Sequence, residues 1–313
     1  MRVLYHYAAG PALQARLARL TDEGIEVQTC SELDDVRFFD LLPRTEVIWH
    51  CLRPIDAEVL AAAGQLRLIQ KIGVGVNTID LDAARDRGIA VCNLPGSNSR
   101  AVAEHTLSLM LAVLRKLVTF DSLTRNGLGW DRPPVLEDSL GEIAGRSVGL
   151  IGYGAVPQLL APILEAMGAR VAYCNRSEPR AAVGERMTLQ ALLASCDIIS
   201  LHLPLEPETH HLLNASRLRR MRPGAILINT SRGGLVDTDA LLAALRDHLG
   251  GAGLDVFETE PLPDDHALRH CDNVVLSPHV AWLTQETLAR SVAAAADNCH
   301  RLARGEPLAN RIV

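Results

Sequence analysis

The chain has 313 residues, long for one domain and comfortable for two, and its 48% hydrophobic and 22% charged residues are an ordinary globular balance. A formal net charge of −6 excludes the basic footprint of a nucleic-acid-binding surface. No apolar run approaches the roughly 18 residues needed to span a membrane. Seven cysteines with no CxxC pair, and an N-terminus without an apolar signal stretch, point to reduced thiols in a cytosolic protein.

In chain order, short β-branched runs alternate with longer helical stretches, the pattern of parallel sheets with helices on both faces. The first series of strands is RVLYHY (2–7), IEVQTC (25–30), VIWHC (47–51), LRLIQKIG (66–73) and IAVCN (89–93). A long apolar-periodic segment follows at 99–117, then a polar Gly/Pro-containing loop from about 121 to 141. The second series is VGLIG (148–152), RVAYC (170–174), DIISLHL (197–203), AILINT (225–230), AGLDVF (252–257) and NVVLS (273–277). Helical patterns fill the gaps, as at 159–168 and 238–247. Two series predict an α/β protein of two doubly wound, Rossmann-like domains. The tail after Trp282 is one amphipathic helix ending in GEP. One helix cannot form a domain, so it is expected to return to the N-terminal unit.

The stretch SVGLIGYGAVPQLLAPILEAMGARVAYCNRS reads as strand, glycine turn, helix, strand. Gly152 and Gly154 fit the first two glycines of the dinucleotide fingerprint, one for a tight turn and one for close approach of a pyrophosphate. The next helix N-terminus would offer its N–H groups to the phosphates. Pro157 stands where the third glycine belongs, a position in the first helical turn where proline is tolerated.

Three polar residues lie just past predicted strands: Arg232 in SRGG, Glu260 in ETEP and His279 in SPHVAW. Open parallel sheets bind ligands outside the carboxyl ends of their strands, so the three can converge beside a nicotinamide. Hydride addition to a keto carbon leaves an alkoxide that needs a proton, and a His–carboxylate pair supplies one near neutral pH. A guanidinium suits a substrate carboxylate bidentately. Taken singly, each residue has a structural reading: a surface ion pair, a turn cap, a satisfied loop histidine. His266 and His270 form an HxxxH pair in a polar loop without a third ligand, and no metal is expected.

INTSRGGLVDTDALLAAL, GLDVFETEPLP and VVLSPHVAW resemble the signature segments of the D-isomer-specific 2-hydroxyacid dehydrogenases. KIGVGVNTIDLDAARDRGIAVCNLPGSNSRAVAEHTL resembles that family's substrate-loop and hinge region. The resemblance implies a substrate domain (1–98 and 284–313) built from both chain ends around an inserted dinucleotide-binding domain (99–283). It implies catalysis by Arg232, Glu260 and His279. Leu52 and Arg53 would line the substrate pocket, the backbone around Val74 and Gly75 would hold the substrate carboxylate, and Asp255 would hold the nicotinamide amide. Ala155, Val156, Leu203, Pro204, Thr209, Thr230, Ser231, His279 and Ala281 would complete the cofactor contacts.

No acidic residue closes the second strand of the cofactor domain. Asn175, Arg176 and Ser177 stand there instead, with Arg180 nearby. A carboxylate would select the ribose 2′-hydroxyl of NAD, whereas a guanidinium suits a 2′-phosphate, so NADP is the expected preference, with NAD the alternative. Trp282, three residues past His279, could wall off a small pocket, which favours glyoxylate or hydroxypyruvate; its other reading is packing at the hinge. The apolar surplus at 99–117 (Val102, Leu107, Leu109, Met110, Leu111, Val113, Leu114, Leu117) suggests a homodimer or a buried central helix. A phosphoglycerate or D-lactate dehydrogenase of the same family, or a dinucleotide-sensing corepressor-like protein, stays open at this point.

Overall fold

The computed structural model describes residues 1–132 and 134–313. Its chain forms two compact units, Met1–Asn98 with Leu283–Val313, and Ser99–Trp282. No helix among the described residues is long and apolar enough to cross a membrane.

The discontinuous unit holds a five-stranded parallel sheet: β1 (Arg2–His6), β2 (Glu26–Cys30), β3 (Val47–His50), β4 (Leu68–Lys71) and β5 (Ala90–Cys92), in the order β2-β1-β3-β4-β5. Strands β3, β4 and β5 are buried at every position, which is why they read as unbroken apolar runs and not as alternating ones. Phe38, Leu41, Leu60, Ile69 and Val91 belong to the core of one face. The C-terminal helix Gln285–Arg304 joins this unit, burying Val292, Ala295, Ala296 and Cys299 and ending at Gly305 with φ 68°. Asn298 in that helix donates to Gln70 Oε1 (2.7 Å) and accepts from the Ala309 N–H (2.8 Å). Both side chains are buried and would be costly there unpaired.

The continuous unit holds a seven-stranded parallel sheet: β6 (Ser147–Ile151), β7 (Arg170–Cys174), β8 (Glu185–Arg186), β9 (Ile198–Leu201), β10 (Ile226–Asn229), β11 (Gly251–Leu254) and β12 (Val274–Leu276). Their order is β12-β11-β10-β9-β6-β7-β8, so the strand order reverses between β6 and β9. One face is covered by the helices Ser99–Leu114 and Ala155–Ala166, through residues such as Met110 and Leu160. The other is covered by Leu189–Ser195 and Thr238–Asp247, through Leu192 and Leu241. Gly253 in β11 lets the first helix come close: a Cβ there would lie 2.9 Å from the Cβ of Leu109.

Four expectations need correction. The predicted loop at 121–141 is partly helical, because a helix spans Leu117–Arg125 after the left-handed residue Lys116 (φ 46°), and a short one spans Val135–Asp138. Pro133 of that stretch lies outside the described residues. The helical pattern read to 168 ends at Ala166; the helix begins at Ala155 with Pro157 in its first turn, as expected, and has Pro162 inside it. Strand β8 was not expected: its two residues are charged and exposed, and they pair only with β7. Lastly, Leu109, Met110 and Leu114 are buried within their own unit, so the exposed apolar residues fall further along, at Leu117 (62%), Val118 (59%) and Trp130 (86%).

The discontinuous unit carries two buried histidines, His6 and His50. His6 stacks on Phe38 at 4.1 Å, and neither of its ring nitrogens has a partner in the protein. Burial pushes His6 down to about 4 and His50 well below its ordinary value. The unfolded chain takes up protons at these residues below about pH 6.5, while the folded chain does not. Folding stability is therefore expected to fall on acidification from pH 6.5 to 5, by about 1.4 kcal/mol per pH unit for each histidine. This window lies above the ordinary carboxylate range. A urea-unfolding midpoint that stays level across it would contradict the assignment.

Candidate active site

The glycine turn follows β6. Gly152 has φ +91°, and a Cβ there would lie 2.4 Å from the His202 carbonyl oxygen, so no other residue fits without displacing backbone. Gly154 is the N-cap of the helix Ala155–Ala166, and no atom lies within 4 Å of where its Cβ would be. This open notch before a helix N-terminus suits a pyrophosphate. Pro157 removes a donor from the first turn but leaves the N–H groups of Ala155 and Val156. Tyr153, between the glycines, donates its hydroxyl to the Val183 carbonyl (2.9 Å) and accepts the Val183 N–H (2.7 Å). It thereby ties the turn to the segment leading into β8.

Past β7, Asn175 is committed to local structure. Its Oδ1 accepts the Tyr153 N–H (3.2 Å), and its Nδ2 donates to the Ser177 carbonyl (2.8 Å). Arg176 is 88% exposed and lies 3.6 Å from Glu206. Arg186, not singled out from the sequence, donates to the carbonyls of Asn175 (3.2 Å) and Arg176 (3.3 Å). Past β9, Leu203 and Pro204 lead into a turn closed by Thr209, whose hydroxyl donates to the Pro204 carbonyl (2.8 Å) and accepts the Glu206 N–H (2.8 Å).

The turn after β10 is fixed from three sides. Thr230 Oγ1 bonds Thr106 Oγ1 (2.8 Å), Ser231 donates to the Leu201 carbonyl (2.6 Å), and Asn229 Nδ2 donates to the Arg232 carbonyl (2.9 Å). Arg232 itself donates to the Ser231 carbonyl (2.6 Å). Burial pulls its ionisation below the ordinary arginine range, and the charge of Glu260 opposes this.

Past β11, Asp255 is fully buried. Its carboxylate accepts from Ser277 Oγ (2.6 Å), the Val280 N–H (2.9 Å) and the Ala281 N–H (2.9 Å). Its carbonyl accepts the His279 N–H (2.7 Å). His279 is left-handed, with φ +55°, and its carbonyl accepts the indole N–H of the buried Trp282 (3.0 Å). The indole thus braces the histidine's backbone, an arrangement in line with the packing reading of Trp282.

Glu260 Oε2 lies 2.6 Å from His279 Nδ1, and Glu260 Oε1 accepts the Phe257 N–H (2.9 Å). Burial pushes the Glu260 carboxyl up, but the hydrogen bond and charge of His279, the Phe257 N–H and the charge of Arg232 outweigh it and hold the group below its ordinary value. Glu260 is therefore ionised at neutral pH and engages Nδ1 of His279, leaving Nε2 as the nitrogen able to exchange a proton with a ligand. The structure thus brings Glu260 and His279 into contact, with Arg232 in electrostatic reach.

Residues 52, 53, 74 and 75 belong to the discontinuous unit. The Leu52 and Arg53 N–H groups donate to Glu32 Oε1 (2.7 and 2.8 Å), and the Arg53 guanidinium pairs with Asp35 and lies 5.0 Å over the Phe38 ring. The Val74 carbonyl accepts from Asn93 Nδ2 (2.9 Å), and Gly75 is half-buried.

His210, His211 and Glu258, which the sequence did not single out, bring three ligand-type atoms within 4.8 Å of one another. The contact between His211 Nε2 and Glu258 Oε1 is 2.5 Å, a hydrogen-bond distance. Two ligands of one tetrahedral zinc would stand about 3.3 Å apart, so His211 and Glu258 read as a hydrogen-bonded pair.

The family model described as D-isomer specific 2-hydroxyacid dehydrogenase, NAD binding domain, matches residues 107–281. The chain belongs to this family. It is an oxidoreductase that uses a nicotinamide dinucleotide and acts on small 2-hydroxy and 2-keto acids. It is 42% identical to a glyoxylate reductase of Thermofilum pendens over 259 residues, 80% of this chain and 76% of the relative. It is 38% identical to a D-3-phosphoglycerate dehydrogenase of Mycobacterium leprae, covering 94% of this chain but only 56% of that longer protein. Among solved structures, the TT0316 protein of Thermus thermophilus superposes with a TM-score of 0.90 at 39% identity, with all of both chains covered.

Proposed function

We propose that the protein is a D-2-hydroxyacid dehydrogenase working as a reductase of glyoxylate or hydroxypyruvate, with His279 as its proton donor. The observation that carries this reading is the 2.6 Å contact of Glu260 with His279 Nδ1, beside the half-buried Arg232. The reduced dinucleotide supplies the hydride to the keto carbon. Arg232 binds the substrate carboxylate and polarises the carbonyl, and His279 Nε2 gives its proton to the alkoxide. Glu260 holds the ring in orientation through Nδ1. From the discontinuous unit, Leu52, Arg53, Val74 and Gly75 are assigned to the substrate. A cytoplasmic location fits the seven free thiols.

A panel of keto acids tests the substrate class: preference for phenylpyruvate or another bulky acid over glyoxylate would overturn the small-substrate reading. His279→Ala is expected to lower turnover by roughly 10²–10⁴, the range for a positioned acid–base group. Glu260→Gln removes the carboxylate that orients the ring, and kcat should fall about tenfold to a hundredfold. Near-full activity of the alanine variant across the pH range would remove His279 from the mechanism.

The cofactor preferred is NADPH. No carboxylate closes β7, and the exposed Arg176 guanidinium is held only loosely, at 3.6 Å from Glu206. With the Asn175 amide engaged in its own turn, Arg176 and Ser177 are left as donors to a 2′-phosphate. A charge-assisted contact contributes about 1.5–3 kcal/mol, on the order of tenfold to a hundredfold in selectivity. The ratio of kcat/KM for NADPH and NADH should favour NADPH in the wild type and shrink in Arg176→Ala. A wild type that prefers NADH, or an unmoved ratio, refutes this.

The protein is assigned as a homodimer through its continuous unit, where Leu117, Val118, Leu128, Trp130 and Val135 are exposed within one stretch of chain. Light scattering at micromolar concentration should give twice the chain mass of 33.9 kDa. A monomer there contradicts the assignment.

A further inference from the structure

We propose that Glu258 is a positioning residue: through His211 and Thr238 it clamps together the three loops that follow β9, β10 and β11, and so holds Glu260 against His279. This inference rests on the roles given to Arg232, Glu260 and His279 above.

The two carboxylates of the ETEP run are both engaged, but in different directions. Glu260 reaches His279, whereas Glu258 Oε1 meets His211 Nε2 (2.5 Å) and Glu258 Oε2 accepts the Thr238 N–H (2.9 Å). His211 lies past β9, Thr238 opens the helix past β10, and Glu258 lies past β11, so one side chain joins three successive strand connections. The loops are also in backbone contact. The His211 N–H donates to the Gly234 carbonyl (2.8 Å), and the Leu213 N–H donates to the Leu235 carbonyl (2.9 Å). At Gly233, next to Arg232, a Cβ would lie 1.9 Å from the Phe257 carbonyl carbon and 2.4 Å from the Glu258 nitrogen.

The clamp also holds His211 in a conformation it would not choose alone. Its φ is +48°, a region costly for a residue with a side chain, and such a residue persists only where its surroundings over-determine it. Here the backbone bond to Gly234 and the ring's contact with Glu258 do so. A glutamate at the N-terminus of Thr238–Asp247 also satisfies a backbone donor that the helix leaves free. Without Glu258, the segment 257–260 keeps its Phe257–Glu260 bond but loses its anchor to both neighbouring loops. The 2.6 Å contact on which the histidine depends then loosens.

The test compares wild type, Glu258→Ala and Glu258→Gln. In Glu258→Ala, kcat for keto-acid reduction should fall about tenfold to a hundredfold, the usual loss when a reacting group is misplaced by about an ångström. The dissociation constant for the reduced dinucleotide should rise by less than kcat falls, because the glycine turn is untouched although Thr209 lies in a loosened loop. Glu258→Gln, which keeps an acceptor, should recover part of the lost kcat. Amide exchange should quicken at 209–212 and 255–260 while β10 stays protected. An unchanged kcat overturns the proposal. So does a parallel collapse of cofactor affinity, melting temperature and kcat, which would mark Glu258 as merely structural. A wild type inert toward every keto acid indicts the catalytic reading instead. Amide exchange at the two segments then decides the clamp: unaltered exchange in Glu258→Ala rejects it.

Discussion

The site depends on one buried carboxylate. Asp255 sits just past β11 with no exposure, and its carboxylate oxygens accept from a hydroxyl and two backbone N–H groups, all from the segment Ser277–Ala281. A buried polar group is tolerable only when so bonded, and it in turn dictates the path of the chain that surrounds it. That path carries His279 in a left-handed conformation, with its N–H on the Asp255 carbonyl and its own carbonyl on Trp282. His105, from the helix Ser99–Leu114, adds a bond to Ser277 Oγ (2.9 Å) and lies 3.5 Å from the same carboxylate. The backbone of His279 is therefore fixed on both sides before any ligand arrives, the sort of preorganisation that acid–base chemistry rewards.

Much of this was legible from residues. The eleven expected strands are present because a parallel sheet covered on both faces demands continuous apolar runs, and those runs are hard to mistake. The helix Thr238–Asp247 matches its expected bounds because Asp237 caps it and its apolar spacing is regular. Arg232, Glu260 and His279 each lie past a strand end, and the structure brings Glu260 and His279 into contact with Arg232 in electrostatic reach.

What stayed hidden has physical causes. Glu258 and Glu260 stand two residues apart in ETEP, and only the backbone path shows that one faces His279 and the other His211. The resemblance assigns Asp255 to the nicotinamide amide, and nothing in a string of letters shows that its oxygens also accept bonds from the loop past β12. Tyr153 is an unremarked residue inside a glycine motif, yet it bonds a chain segment thirty residues away. The exposed apolar residues after Leu114 were misplaced because periodicity cannot say where a helix stops serving its own sheet.

The discontinuous unit has a consequence for synthesis. Its sheet is encoded first, within the first 92 residues, but the helix that covers it, Gln285–Arg304, is encoded last. So is the segment at the edge of β5, where Val91 bonds the Ile312 N–H (2.7 Å) and its own N–H donates to the Val313 carbonyl (3.2 Å). The continuous unit has all its parts between Ser99 and Trp282 and can close while the ribosome is still extending the chain. The residues made earliest therefore finish folding latest, waiting with an unpaired strand edge and an uncovered apolar face. During that interval, and not in the finished enzyme, the chain is most open to chaperones and to mispairing with other copies of itself.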